Sequence, residues 1–215
     1  IKGDSGTWAN NSYGLRYHGG KLSFYITDGV NVDVVIADSM DYGRWIHVCG
    51  VTSKQSGKLY LYYDGVLVKQ GNRTIDNIKV APTSVQIGKN YSPSDSHNGS
   101  FHKGKLREVR IWNYARTQEE IVNTMNIELT GDEFGLVGYW KLTEDSDNIA
   151  KDYSLNGNHG TIYGAKWDYS YDNVQLQQVP LYDALEFYQA GGFVDFQNTT
   201  EYIKTGQVTI EAWVK

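Results

Sequence analysis

The chain has 215 residues, a net charge of −5 at pH 7 and 1 cysteine. No basic run appears, which argues against nucleic acid or an anionic membrane surface as the main partner. No apolar run approaches the roughly 18 residues of a spanning helix, so no membrane insertion is expected. The 17 tyrosines, 6 tryptophans and 23 glycines favour short strands joined by turns.

The first half of the chain alternates strand patterns with turn residues. Residues 13–17 and 21–26 form a predicted hairpin, and Asp64-Gly65 is typical of a tight turn between two strands. Cys49 lies within an apolar strand pattern, which favours a buried, inert thiol. The other strands predicted here cover residues 30–36, 44–52, 58–63, 66–68, 84–87 and 105–112.

One short helix follows these strands. Thr117 with Glu120 three residues later is a capping box, which predicts the helix start. Ile121, Val122 and Met125 then form a narrow apolar stripe. Further strands are predicted at residues 136–142, 184–187, 193–196 and 207–214, with a polar Asn/Gly loop at 152–160. About twelve strands and one short helix predict an all-β fold, a two-sheet antiparallel jelly-roll sandwich.

Four groups of residues make the chain similar to a known family. They are residues 45–51 with 57–65, 85–88 with 101–112 and 115–121, 135–140 with 152–161, and 184–187 with 208–215. At these spacings the chain resembles the laminin-G-like, concanavalin A-like (pentraxin-related) jelly-roll domains over nearly its whole length. In that family the third and fourth groups come first. The resemblance therefore implies a circularly permuted order, which suggests one period of a tandem array.

This order predicts how the chain divides. Residues 1–131 are expected to be the C-terminal portion of a laminin-G-like sandwich, 132–135 a linker, and 136–215 the N-terminal portion. The second portion either packs on the first in the same chain or completes the sandwich of a neighbouring chain. Lys215 is then expected near an Ile1, from its own chain or from a neighbour.

Catalysis is not expected. The resemblance extends to glycosidases that carry two Glu and an Asp on one strand, and retaining hydrolysis needs carboxyl groups about 5 Å apart. Glu108 stands alone in its strand, whereas Glu186 and Asp195 lie on separate strands. The motifs of serine hydrolases, phosphate loops and zinc proteases are also missing from the sequence.

Calcium is the candidate cofactor. Pentraxin-like relatives hold calcium partly in the loop where this chain has Lys89-Asn90-Tyr91, and a lysine there conflicts with a hard cation's need for anionic oxygens. The remaining candidate ligands are Asp95 in one loop and Asp152, Asn156 and Asn158 in another. In both loops the alternative interpretation is turn chemistry, in which these side chains bond their own backbone.

Carbohydrate binding would use aromatic rings beside amide and acidic groups on exposed loops. The candidate residues are Trp8, Tyr13, Tyr91, His97, Asn98 and His102. Trp8 leads because it lies in a Gly/Ser/Asn loop with no strand pattern to bury it. In contrast, Trp45, Trp112, Trp140 and Trp213 alternate with polar residues in strands and are predicted to be core residues.

The resemblance and the candidate residues together predict a non-catalytic extracellular or cell-surface module for adhesion or carbohydrate binding. The expected partners are a glycan or an extracellular protein, and neighbouring copies in an array would add avidity. The alternative is a structural subunit of a fibre or surface array, assembled by intermolecular sandwich completion.

Overall fold

A computed structural model describes residues 12–18, 20–39, 43–80, 84–90, 100–144, 148–168, 184–188, 191–196 and 205–215. Within these ranges the first strands are β1 (Tyr13–His18), β2 (Lys21–Thr27), β3 (Val32–Ile36), β4 (Ile46–Ser53), β5 (Lys58–Tyr63), β6 (Val66–Asn72), β7 (Val85–Ile87), β8 (Lys89–Asn90), β9 (Ser100–Phe101) and β10 (Gly104–Trp112). Helix α1 (Gln118–Thr124) follows, and then β11 (Leu136–Trp140), β12 (Ile149–Ala150), β13 (Gly160–Tyr163), β14 (Lys166–Asp168), β15 (Ala184–Phe187), β16 (Phe193–Phe196) and β17 (Val208–Val214). The prediction of a mostly antiparallel β-sandwich with one short helix is confirmed.

The largest sheet combines strands from both halves of the chain. It has 8 strands in the order β14-β15-β10-β17-β4-β5-β6, with β11 also paired to β10. Strand β17 lies between β4 and β10, so residues 208–214 pair with strands from the first half on both sides. Lys215 continues the pairing, because its N–H donates to the Lys105 carbonyl at 3.0 Å. Its predicted neighbour Ile1 lies outside the described residues.

Two smaller sheets cover the inner face of the large sheet. One has the order β1-β2-β3 and the other has the order β12-β13-β16-β7. Their inward side chains, such as Phe24 and Val194, belong to the same buried apolar cluster as Val48 and Ile210 of the large sheet. The four strand tryptophans are all buried, as predicted: Trp45, Trp112, Trp140 and Trp213.

Helix α1 packs on the opposite, outer face of the large sheet. The capping box is confirmed, because Thr117 accepts from the Glu120 N–H while the Glu120 side chain accepts from the Thr117 N–H. Ile121 is buried against Cys49, Val51 and Tyr62. Burial raises the pKa of the Cys49 thiol well above its usual value, which agrees with an inert cysteine.

Candidate functional site

The outer face of the four-stranded sheet carries a set of partly exposed side chains. Along β16, Val194 and Phe196 are fully buried, so Phe193 and Asp195 point away from the core. The same alternation along β13 directs Tyr163 outward. We call the outward residues of three of its strands, β7, β13 and β16, the platform face: Gln86, Thr161, Tyr163, Phe193 and Asp195.

Strand register sorts the platform face into two rows. Asp195 is opposite Thr161 on one side and Gln86 on the other, which forms a polar row. Tyr163 is opposite Phe193, which forms an aromatic row. The rows are two residues apart along the strands, a separation of about 7 Å. One ligand of ordinary sugar size can therefore contact both rows at once.

The aromatic row is a stack of rings standing on the sheet. The Tyr163 and Phe193 ring centroids are 4.8 Å apart with an interplanar angle of 19°. The Lys89 ammonium lies 4.5 Å from the Phe193 centroid and 5.8 Å from the Phe101 centroid. Tyr163 is 46% exposed, the most accessible ring of this row.

The polar row contains a carboxylate bonded to an amide. Gln86 Nε2 donates to Asp195 Oδ2 at 3.3 Å. Asp195 Oδ1 is shielded from water and has no hydrogen-bond partner among the described residues. Because a buried acceptor without a donor is costly, this oxygen favours a binding partner that supplies a hydrogen.

Two of the predicted sugar-binding residues can be located in the structure. Tyr13 is fully buried in the main core, which contradicts the expectation of an exposed ring at that position. The reason is that residue 13 opens β1, and strand alternation turns its ring inward with Leu15. Trp8, Tyr91, His97 and Asn98, and the candidate metal ligand Asp95, lie outside the described residues.

His102 lies close to the platform face but packs inward. Its backbone N–H donates to the Gly88 carbonyl at 2.7 Å. Its ring packs edge-on against Phe187, with the two ring centroids 5.7 Å apart. Burial lowers the pKa of His102 to about 4, so the imidazole is neutral at physiological pH. His102 is thus a half-buried residue beside the turn that follows β7, with its ring packed against Phe187.

The predicted calcium loop at Asp152 is a network of internal hydrogen bonds. Asp152 Oδ1 accepts from the N–H groups of Tyr139 and Ser154 at 2.9 Å each. Asp152 Oδ2 accepts from the Ser154 hydroxyl at 2.9 Å and from the Asn158 N–H at 2.8 Å. The Asn156 amide donates to the Val137 carbonyl at 3.0 Å. Asp152 thus accepts four hydrogen bonds, two of them from Ser154 in the turn chemistry expected of such a loop, while Asn158 contributes its backbone N–H and Asn156 its side-chain amide.

The structure also locates the acidic residues that were weighed as catalytic. Glu108 is buried and accepts from Arg110 Nη2 at 2.6 Å and from the Tyr139 hydroxyl at 2.8 Å. Glu186 belongs to the large sheet and Asp195 to the four-stranded sheet. Among the described ranges, no cluster of three or more His, Cys, Asp or Glu side chains could hold a metal ion.

The platform face was missed by sequence reasoning. Residues 193–196 were predicted as a strand, but β13 was not, and its Tyr163 is one half of the aromatic row. The alternation of Thr161 and Tyr163 around the apolar Ile162 was the available signal. Membrane insertion was not expected, and none of the described helices is long and apolar enough to cross a bilayer.

Comparisons with known proteins place the chain in a family. A solved structure from Bacteroides ovatus, a protein to which carbohydrate binding is provisionally attributed, shares the fold with a TM-score of 0.55 and 23% identity. The alignment covers 75% of this chain and 46% of that one, so the chain spans about half the length of that protein. No curated protein matches at a significant level. A family model described as the concanavalin A-like lectin/glucanases superfamily matches residues 2–122, and the chain belongs to that superfamily.

Proposed function

We propose that this protein is a non-catalytic carbohydrate-binding module and that it binds glycans on the platform face. The superfamily description includes lectins, and the Bacteroides ovatus structure with the same fold is attributed to a carbohydrate-binding protein. Both comparisons are compatible with sugar binding and neither identifies a site. The support for the site comes from this chain's own side chains.

The observation that carries the proposal is the aromatic row beside the polar row. A sugar ring has an apolar face of C–H groups, which packs on an aromatic ring, and a rim of hydroxyl groups. Asp195 and Gln86 offer acceptors and an amide donor about 7 Å from the Tyr163 row, within reach of that rim. Sites for small ligands typically combine apolar rings with a small number of precisely placed polar groups.

A catalytic role has less support on this face. Glycoside hydrolysis commonly needs two carboxyl groups, about 5 Å apart for retention and about 6.5–9.5 Å apart for inversion. Asp195 is the single carboxylate among the described strand residues of the platform face. A lone carboxylate can orient a sugar but supplies neither the acid and base pair nor the nucleophile.

Affinity electrophoresis through gels containing single polysaccharides tests the proposal. Wild-type protein should be retarded by at least one polysaccharide, and Tyr163→Ala should remove most of that retardation. The matched control is Phe134→Ala, because Phe134 is an 86% exposed aromatic residue outside the platform face. Lack of retardation across the whole panel would overturn the function. If Tyr163→Ala is retarded as strongly as the wild type, the glycan binds at a site other than the platform face.

An extracellular or cell-surface setting and adhesion through tandem copies belong to the same proposal. A single shallow face binds weakly, and linked copies convert later contacts into intramolecular ones. A fibre or surface-array subunit is the second candidate function. The observation in its favour is that β17 pairs with both β4 and β10. The same strand of a neighbouring chain would make the same pairings. Light scattering separates the two, because strand exchange would give concentration-dependent oligomers and a cis-packed module would stay monomeric.

A further inference from the structure

We infer that the ligand of the platform face is an uncharged glycan, which stacks one sugar on the free ring face of Tyr163 and donates a hydroxyl hydrogen to Asp195. This inference rests on the proposed function and adds the ligand class and the role of each residue. Three features of the face support it: the order of the ring stack, the place of the lysine, and the unmet acceptor.

The ring stack leaves one face open. The Phe193 ring has Tyr163 at 4.8 Å and the Lys89 ammonium at 4.5 Å. Strands β13 and β7 flank β16 on opposite sides, and Lys89 comes two residues after β7, so Tyr163 and Lys89 approach the Phe193 ring from opposite sides. Among the described residues, the Tyr163 ring stacks on Phe193 with one face, and the residue remains 46% exposed. Tyr163 is therefore the stacking residue, and Phe193 holds it upright.

The charges favour a neutral ligand. Asp195 occupies the middle of the polar row, and a carboxylate only accepts hydrogen bonds. A uronate or sulfate group placed there would meet a like charge, which is strongly unfavourable. The compensating cation, Lys89, lies beyond Phe193 as seen from Tyr163, where its ammonium contacts the rings of Phe193 and Phe101. The chain as a whole carries a net charge of −5, which repels anionic polymers further.

The unmet acceptor fits a hydroxyl group. Asp195 Oδ2 already accepts from Gln86, whereas Oδ1 has no partner among the described residues. The terminal torsion of an aspartate is broad and roughly two-fold, so we expect the carboxylate to rotate when a ligand binds and to present Oδ1 to it. Sugar hydroxyl groups are donors and would satisfy this oxygen. Anionic sugars carry hydroxyl groups as well, so the donor requirement fits any glycan, and the like charge of Asp195 is what disfavours a carboxylate or sulfate group beside it.

Paired polysaccharide panels test the ligand class. The probes are neutral polymers, namely a β-glucan, a mannan and a xylan, and anionic ones, namely an alginate and a sulfated galactan. Binding to one or more neutral polymers with none to the anionic ones is expected. Binding to the anionic polymers alone would overturn the inference and leave the proposed function standing. Binding to neither group would overturn both.

Variants test the role of each residue, using a polysaccharide that the wild-type protein binds. Tyr163→Ala should weaken binding on the order of tenfold or more, and Tyr163→Phe should retain it, because the ring and not the hydroxyl stacks. Phe193→Leu should lose less binding affinity than Tyr163→Ala does. Asp195→Asn should weaken neutral binding and reduce the preference for neutral over anionic polymers on the order of tenfold. Unchanged preference in Asp195→Asn, or equal losses in Phe193→Leu and Tyr163→Ala, would contradict the assignment once thermal melts show that the variants are folded.

Discussion

Glu211 Oε1 accepts a hydrogen bond from Trp112 Nε1 at 3.0 Å, and both side chains are buried. The same oxygen lies 3.0 Å from Arg116 Nη1 and 3.7 Å from Arg110 Nη1. Glu211 is on β17, whereas its partners belong to β10 and the segment after it. The contact therefore joins the end of the chain to its first half through a buried ionic network.

The same arginines hold helix α1 against the sheet. Arg110 donates to the Thr124 carbonyl at 2.9 Å, and Arg116 donates to the Glu120 carbonyl at 2.8 Å. The Thr124 carbonyl lies at the helix C-terminus, where carbonyl groups lack a partner inside the helix, whereas the Glu120 carbonyl belongs to the first turn. Two arginines face two carboxylates, Glu211 and Glu108, so the buried charges balance.

Glu211→Gln should lower the free energy of unfolding by about 3–5 kcal/mol, because it leaves buried guanidinium charge uncompensated. Urea denaturation followed by tryptophan fluorescence measures the loss. The control is Glu119→Gln, an exposed change in the first turn of α1 that should cost about 1 kcal/mol or less. Similar losses in the two variants would show that the network contributes no more than a surface charge.

His47 should make stability depend on pH. Burial lowers its pKa to about 4, although Glu211 Oε2 lies 3.6 Å from Nε2 and acts in the opposite direction. The unfolded chain, with an ordinary pKa of about 6.5, binds the proton first. Stability is therefore full above about pH 6.5 and is lost as the pH falls towards about 4, by up to about 1.4 kcal/mol per pH unit.

The difference between wild type and His47→Gln isolates this effect. His102 has a similarly lowered pKa, but it titrates in both proteins and cancels. The free energies of unfolding of the wild type and of His47→Gln are measured at several pH values between 7 and 4. The two values should converge or cross as the pH falls. A constant difference across that range would mean that His47 takes up a proton in the folded state at its ordinary pKa.

Asp152→Ala should destabilise the protein by about 2–3 kcal/mol or more, because four donors to a buried carboxylate lose their acceptor. Asn156→Ala is the matched control in the same loop, since it removes one partly exposed bond to Val137. Thermal melts of the two variants give the comparison. Equal effects would contradict the central role of Asp152.

Calcium makes a separate prediction at the same loop. A cation bound to native protein raises the melting temperature by mass action, and a chelator removes that increment. Because the Asp152 oxygens already accept four hydrogen bonds, we expect excess EDTA to leave the melting temperature unchanged. A clear decrease on chelation, restored by calcium, would support the metal-site hypothesis.

Local chemistry explains which parts of the fold were predictable. Asp64 and Gly65 have φ values of 46° and 74°, as a tight hairpin turn with two left-handed residues requires. The Asp-Gly sequence predicted that turn. Residues 58–63 were likewise predicted from a pattern held within the strand itself. The place of β17 between β4 and β10 depends on partners about 100 or more residues away, which no local pattern encodes.

The platform face was harder to predict for the same reason. Tyr163 and Phe193 become neighbours only through the register of β13 with β16. Short strands such as β13 lie beside Asn- and Gly-rich turns, and those turn residues dominated the prediction for residues 152–160. Burial also depends on tertiary context, as Tyr13 shows: its ring looks accessible near a polar segment and is in fact fully buried.

Gly50 tests how tightly the two layers of the sandwich pack. A Cβ atom at this position would lie 2.4 Å from Cδ2 of the buried Phe24 ring, so Gly50→Ala should cost about 1–3 kcal/mol through overpacking. Gly192→Ala is the matched control, because its nearest neighbours would be 3.5 Å away and its backbone suits an L-residue. That variant should be neutral or slightly stabilising, since alanine loses less entropy on folding. Urea midpoints decide the comparison. A Gly50→Ala protein as stable as Gly192→Ala would mean that Phe24 can move, and that the layers are less closely packed than the structure shows.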